Sequence, residues 1–332
     1  MSTENDFPTL LTAFFTERLM QQRRASPNTI ASYRDTFRLL LQYVQANLKK
    51  TPSTVKVEDL DALLVGDFLT HIEKKRHNSA RSRNVRLAAI HSFFRYVMWQ
   101  EPQYAAVAQR VLAMPSKRYT RRPVTYLTSP EVNCLLEAPD LDTWDGRRDY
   151  TLLLVASQSG LRASELAGLC CEDIVLGAGA HVHCEGKGRQ ERCTPLRKDT
   201  VKALKSWLRE QQGSGKDPLF PSARGTAFSL DGLAYRLAKH LTTARISCQS
   251  LQAKRVTLHT LRHTSAMMLL QAGVDRSVIA LWLGHESEET TYMYLHADVQ
   301  LKEKALSATS SSTVSPTRYQ PDDAVLAFLQ SL

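Results

Sequence analysis

His259-Thr260-Leu261-Arg262-His263, Leu283-Gly284-His285 and Thr290-Thr291-Tyr292-Met293-Tyr294-Leu295-His296 follow one another closely, and their reading decides how the rest of the chain is read. Apolar periodicity predicts a helix from Thr257 to Gln271, on which His259, Arg262 and His263 stand at i, i+3 and i+4 and so share one face near its start. Two imidazoles and a guanidinium suit a site better than a core. A second short helix is predicted from Asp275, a suitable N-cap, to Trp282, with Gly284 where a terminating residue takes a positive φ. His285 falls on the turn that follows, and Tyr294 comes nine residues later. An acid–base group, a permanent cation and a phenol are thus gathered by two tight turns.

Two upstream pieces fit the same place. Gly160-Leu161-Arg162-Ala163-Ser164-Glu165-Leu166 puts an arginine at the mouth of a new helix, where free amides and the positive dipole end favour an anion. His183-Cys184-Glu185 and Glu191-Arg192-Cys193 read as short strands around Gly186-Lys187-Gly188-Arg189, a hairpin with Lys187 at its exposed tip.

Taken in order, Arg162, Lys187, His259, Arg262, His285 and Tyr294 resemble the active site of the tyrosine recombinases, the phage integrase family. The resemblance covers roughly residues 125 to 305 and extends more loosely to the helical region before them. It implies a site-specific DNA recombinase that cleaves through a 3′-phosphotyrosyl bond, needs no cofactor, and assembles as a homo-tetramer on paired sites, with or without a second recombinase. The compact Xer-like or transposon-borne members are the nearest in plan, since little chain precedes Phe7. Two competing readings are a catalytically inactive DNA-binding accessory and a type IB topoisomerase.

The chemistry asks for these residue types. When a phosphodiester becomes five-coordinate its non-bridging oxygens gain charge, and two arginine forks, Arg162 and Arg262, are suited to hold them. The leaving 5′ oxygen needs a proton, for which Lys187 serves if neighbouring cations lower its pKa. His259 accepts or relays the tyrosine proton, and His285 bonds an equatorial oxygen. Tyr292 competes with Tyr294, and spacing alone leaves that choice open; the resemblance favours Tyr294 as nucleophile. His259 and His263 also form an HxxxH pair, but Arg262 stands between them and the glutamate of a zinc hydrolase is missing, so no metal is expected.

A chain of 332 residues with 43% hydrophobic residues is long enough for two ordinary cores. Its net charge of +10 makes a polyanion the natural partner, which the resemblance implies is double-stranded DNA. No apolar run is long enough to cross a membrane, the polar N-terminus is no signal peptide, and six cysteines without CxxC spacing point to a reducing, cytoplasmic setting. Cys184 and Cys193 are expected to face each other across the hairpin.

The expected fold class is mainly α (α+β): a helical core-binding bundle followed by a mostly helical catalytic domain with one small antiparallel sheet. The domains are 1–115, a DNA clamp; 116–124, a basic linker; 125–306, catalytic; and 307–332, a flexible tail with a short docking helix. In the clamp, helices are predicted over Thr9 to Gln22, Pro27 to Ala46, Val57 to Lys74 and Ala80 to Gln100. Arg81, Arg83 and Arg86, beside Lys74, Lys75 and Arg76, read as a DNA-contacting surface because acidic residues are nearly absent around them. Lys117, Arg118, Arg121 and Arg122 lie in the linker between Pro115 and Pro123 and add phosphate contacts. In the catalytic domain a capping box at Thr128 and Glu131 leads into a first helix carrying Val132, Leu135 and Leu136, and further helices are predicted over Arg147 to Ala156, Val201 to Gln212 and Leu230 to Thr242. The tail carries Val325, Leu326, Phe328, Leu329 and Leu332 on one face of a helix too short to stand alone, so it docks either on a neighbouring protomer or on its own domain.

Overall fold

The computed structural model describes residues 6–120, 124–186 and 191–284. The chain divides into two compact units, Met1–Arg121 and Arg122–Leu332, and the division falls inside the basic stretch between Pro115 and Pro123.

The first unit is a helical bundle. Helix α1 (Phe7–Ala13) runs directly into a wider π-helical segment, Phe14–Gln22, so the single helix expected there changes pitch at Phe14. Ser26 caps α2 (Pro27–Leu48) by accepting from the Thr29 amide, with Pro27 at the first helical position where its missing N–H is not needed. The helix expected over Val57 to Lys74 is broken. Val57–Leu60 forms a 3-10 turn, Asp61 then goes extended and accepts from the Leu64 amide, and that cap starts α3 (Ala62–Arg76). Ser79 caps α4 (Ala80–Gln100), as the periodicity predicted. Helix α5 (Ala105–Leu112), absent from the expectation, turns Ala108 and Val111 inward, and the His91 ring bonds the Val111 carbonyl at 2.9 Å. The core is aromatic at its centre. Phe93 meets Phe7, Phe14 and Phe37 edge to face at ring-centroid distances of 5.2–5.7 Å, geometry that adds to the burial term.

In the second unit, helix α6 (Ser129–Glu137) starts with the expected capping box at Thr128 and Glu131. Glu131 is buried and also accepts from Lys254 at 2.6 Å and Ser250 at 2.7 Å, tying α6 to the connection between residues 247 and 258. Helix α7 (Trp144–Ser159) is longer than expected because Thr143 caps it ahead of Arg147. It runs through the core with Leu152, Leu153 and Val155 buried. The short α8 (Ala163–Gly168) leads to a three-stranded antiparallel sheet in the order β1 (Ile174–Val175), β2 (His181–Glu185), β3 (Glu191–Pro195). Cys184 pairs with Arg192 and Cys193 with His183, so the two cysteines are not opposite each other. Cys184 is buried and burial pushes its thiol up to about 11, while Cys193 is exposed. Helices α9 (Lys198–Gln211), α10 (Leu230–Ser247), α11 (Leu258–Gln271) and α12 (Arg276–Leu283) complete the unit. Trp207 of α9 anchors in the core by donating to the Leu219 carbonyl at 2.7 Å. Among the described residues no helix is long and apolar enough to cross a membrane.

Candidate active site

The last carbonyls of a helix have no partner within it and carry the negative end of its dipole. At the end of α12 three consecutive carbonyls are each taken by a different arginine. Arg192 of β3 donates through Nε to Trp282 at 3.2 Å, Arg262 of α11 through Nη2 to Leu283 at 2.7 Å, and Arg162 through Nη2 to Gly284 at 2.6 Å. Gly284 is in the left-handed region at φ 62°, as its position in the sequence predicts, and a Cβ there would stand 3.0 Å from Arg192 Nη1. Residue 285 is the next in the chain, so the point from which the chain leaves α12 is held by three forks coming from three elements.

Arg262 is 2% exposed and its other terminal nitrogen, Nη1, reaches the Gly160 carbonyl at 2.8 Å. That carbonyl belongs to the turn between α7 and α8, and the neighbouring ones are taken in the same way. Ser265 donates to the Gln158 carbonyl at 2.8 Å and Trp282 Nε1 to that of Ser159 at 3.0 Å. Gly160 itself sits at φ 66°, and a Cβ there would meet Leu283 Cδ2 at 2.6 Å. The turn that presents Arg162 and the end of α12 are therefore fixed to each other through α11.

Glu165 lies under this arrangement with its side chain 3% exposed. Its Oε1 accepts from Arg162 Nη1 at 2.8 Å and Arg192 Nη1 at 3.0 Å; its Oε2 accepts from Arg192 Nη2 at 2.6 Å and the Arg162 amide at 2.7 Å. Burial pushes this carboxyl up, but the bonds and charges of Arg192 and Arg162 outweigh it and hold the group at about 2, against a usual 4.5. An anion of the protein's own thus stands at the mouth of α8 and takes the Arg162 amide.

A folded-state value below the unfolded one contributes stability that is complete above pH 4.5 and is lost as pH falls toward 2. The difference corresponds to roughly 3 kcal/mol. Glu165→Gln is therefore expected to be less stable than wild type by about that amount at pH 6, and the gap to close progressively below pH 4.5. Urea unfolding of both proteins at several pH values measures it; a gap that stays constant down to pH 2.5 would contradict the clamp.

His259 and His263 occupy the first half of α11 as expected, with ring centroids 4.2 Å apart; His259 is exposed and His263 half-buried. Arg162, His259 and Arg262 are the expected catalytic residues that lie among the described residues, and Arg162 and Arg262 meet at the end of α12. Lys187, His285 and Tyr294 lie outside the described residues, as do Arg121, Arg122 and the tail helix. Sequence reasoning missed Arg192. The signal was available in strand parity: Arg192 lies opposite Cys184, on the inward face that also carries Val182 and Thr194.

In the first unit the expected DNA-contacting residues separate. Arg81 and Arg118 are exposed, as are Lys74, Lys75 and Arg76. Arg83 is turned into the bundle at 8% exposure, 3.7 Å from Glu73, which removes it from the surface. Arg86 is half-buried, and its guanidinium is shifted down by burial and then by the nearby Arg76. Lys117 pairs with Glu73 at 2.7 Å and its backbone bonds Asn84 at both amide and carbonyl, so the start of the basic stretch is fastened to α4.

Residues 125–300 match the phage integrase family, and residues 13–101 match the phage integrase N-terminal SAM-like domain. The y4rC protein of Sinorhizobium fredii, whose name carries the words integrase/recombinase, is 56% identical over 97% of this chain and 97% of its own length. Tyrosine recombinase XerC of Pelobacter propionicus is 32% identical over 86% of this chain and 90% of its own. Among solved structures, the XerH site-specific recombinase in a post-cleavage complex with palindromic difH DNA superposes with a TM-score of 0.70, covering 86% of this chain and 81% of that one at 23% identity. That likeness bears on the fold; the sequence matches, spanning both units, bear on descent and activity. The chain belongs to the phage integrase family, the tyrosine recombinases, enzymes that break and rejoin DNA in site-specific recombination.

Proposed function

We propose that this recombinase cleaves each DNA strand with Tyr294. The tyrosine oxygen attacks phosphorus, the bond to the 5′ oxygen breaks, and a 3′-phosphotyrosyl ester and a free 5′ hydroxyl result. Arg162 and Arg262 hold the non-bridging oxygens, His259 takes or relays the tyrosine proton, Lys187 protonates the leaving oxygen, and His285 bonds an equatorial oxygen. Because the phosphotyrosyl ester retains the energy of the bond it replaced, a 5′ hydroxyl from the partner duplex reverses the step. One monomer binds each half-site and four assemble on two duplexes, exchanging strands through a four-way junction. The DNA belongs to a mobile element or replicon, in the cytoplasm. Arg81, Arg118, Arg121 and Arg122 contribute phosphate contacts.

The observation that supports this reading best is the end of α12, where Arg162 and Arg262 converge on the carbonyls of Gly284 and Leu283, immediately before His285. Two permanent cations at the root of the segment that carries His285 and Tyr294 are what an in-line attack on a phosphate requires. The test uses DNA from both flanks of the protein's own gene, incubated with the full chain in EDTA and denatured in SDS. A covalent adduct is expected, and fragmentation of the DNA-linked peptide is expected to put the phosphate on Tyr294. Linkage to Tyr292, or tight binding with no adduct, would refute the assignment.

A further inference from the structure

The proposed mechanism gives work to Arg162 and Arg262 but none to the third arginine on the α12 terminus. Arg192 uses all three of its nitrogens internally: Nε on the Trp282 carbonyl, Nη1 and Nη2 on the two oxygens of Glu165. Its side chain is 10% exposed, whereas that of Arg162 is 27% exposed and spends only Nη1 and Nη2 on described partners. One arginine is consumed by the protein and the other keeps an open edge. The charges divide in the same way. Arg162 with Glu165 alone makes a neutral pair, which gives a phosphate little reason to approach. Adding Arg192 returns the cluster to a net single positive charge, and the bidentate fork draws the carboxylate charge toward β3.

We infer that Arg192 is a positioning residue of this active site, which offsets Glu165 so that the charge of Arg162 remains available to the scissile phosphate, and which fastens the α12 terminus to β3. The second part has a structural corollary. β3 is the strand that follows the segment carrying Lys187, and the carbonyl it grips lies three residues before His285. A single guanidinium thus connects the strand behind the proposed general acid to the helix end ahead of the proposed phosphate ligand. This inference rests on the proposed roles of Arg162 and Tyr294.

The test compares wild type, Arg192→Gln, Arg192→Lys and the double variant Arg192→Gln/Glu165→Gln, each as full chain. Single-turnover adduct formation is followed on DNA from the gene's flanks at saturating protein, with DNA affinity measured separately. Arg192→Gln is expected to slow adduct formation roughly thirtyfold, the effect of one unit charge about 8 Å away at an effective dielectric constant near 20. DNA affinity should change little, since it is spread over many phosphates. Arg192→Lys keeps the charge without the fork, and the double variant restores the net charge by removing Glu165's, so both should cleave faster than Arg192→Gln. A merely structural brace predicts the opposite order, with the double variant worst because it loses every bond of the clamp. That order, or wild-type cleavage by Arg192→Gln, would overturn the inference. If Arg192→Gln does not fold, Arg192→Lys and the double variant decide: wild-type cleavage by Arg192→Lys would overturn the fastening of α12 to β3, and a double variant much slower than Arg192→Lys would overturn the charge offset. Absence of an adduct from the wild type itself would instead strike the reading of Tyr294, and the inference would fall with it.

Discussion

Arg262→Gln will slow DNA cleavage by about a thousandfold, the upper range for removing one donor from a site that stabilises developing charge. It will also lower the stability of the catalytic unit by about 3 kcal/mol, because two charge-assisted bonds to buried carbonyls are lost together. The two effects have one origin. The Arg262 guanidinium is 2% exposed and spans from the Gly160 carbonyl on the α7–α8 turn to the Leu283 carbonyl at the end of α12. Glutamine is shorter, uncharged and has one amide group in place of three nitrogens, so it cannot satisfy both carbonyls. Arg262→Lys separates charge from geometry. A lysine retains the positive charge but presents a point donor that cannot bridge two carbonyls and face a phosphate. Its stability should fall less than that of the glutamine variant while its cleavage remains slower than wild type by about a hundredfold. Single-turnover cleavage and urea unfolding, measured on the same preparations, check both halves. Cleavage by Arg262→Lys at the wild-type rate would remove Arg262 from the phosphate site.

What the sequence disclosed and what it withheld follow from how local each feature is. Caps are local. Ser26-Pro27, Thr128 with Glu131, and Asp275 with Gly284 all stand where the residue pattern puts them, because each is decided by bonds within a few residues. The shared face of His259 and His263 on α11 is equally local, and so is the placing of Arg162 at the mouth of α8. The break between Val57 and Ala62 was also written locally, in Asp61, but the apolar period of Val57, Leu60 and Val65 runs across it and hides the cap. Arg83 and Arg192 depend on distant partners. Arg83 reads as one more surface cation in the sequence, but Glu73 of α3 gives it a half-buried counter-charge. Arg192 looked like an ordinary strand residue until α8 and α12 arrived on the same side of the sheet. Nothing in the sequence near position 192 names Glu165 or the Trp282 carbonyl; only the fold brings them within reach.

The same non-local character marks the second large effect, far from any reacting group. Asp149→Ala will destabilise the catalytic unit by about 3–5 kcal/mol, the range for breaking a buried ion pair by removing one partner. Asp149 is 1% exposed on α7, between Arg148, also 1% exposed, and Arg236 and His240 of α10. Its Oδ1 accepts from Arg148 Nε at 3.0 Å and Nη2 at 2.9 Å; its Oδ2 accepts from Arg236 Nε at 2.6 Å and His240 Nε2 at 2.6 Å. Burial pushes the carboxyl up, yet the His240, Arg236 and Arg148 partners outweigh it and keep the group ionised. Alanine would leave two guanidinium groups facing each other, with the half-exposed Asp145 as their remaining counter-charge. Arg148 has few alternatives, since it is held between the rings of Trp144 and Phe228 at 5.1 Å and 4.9 Å and bonded to the Pro221 carbonyl. For a domain of this size the melting temperature should fall by about 10 °C. Combining Asp149→Leu with Arg148→Met removes the uncompensated charge and should recover part of the loss, which a contact valued for its packing alone would not allow. A melting temperature for Asp149→Ala within 2 °C of wild type would show that the cluster adds nothing net, its attraction having been offset by the dehydration of its charges.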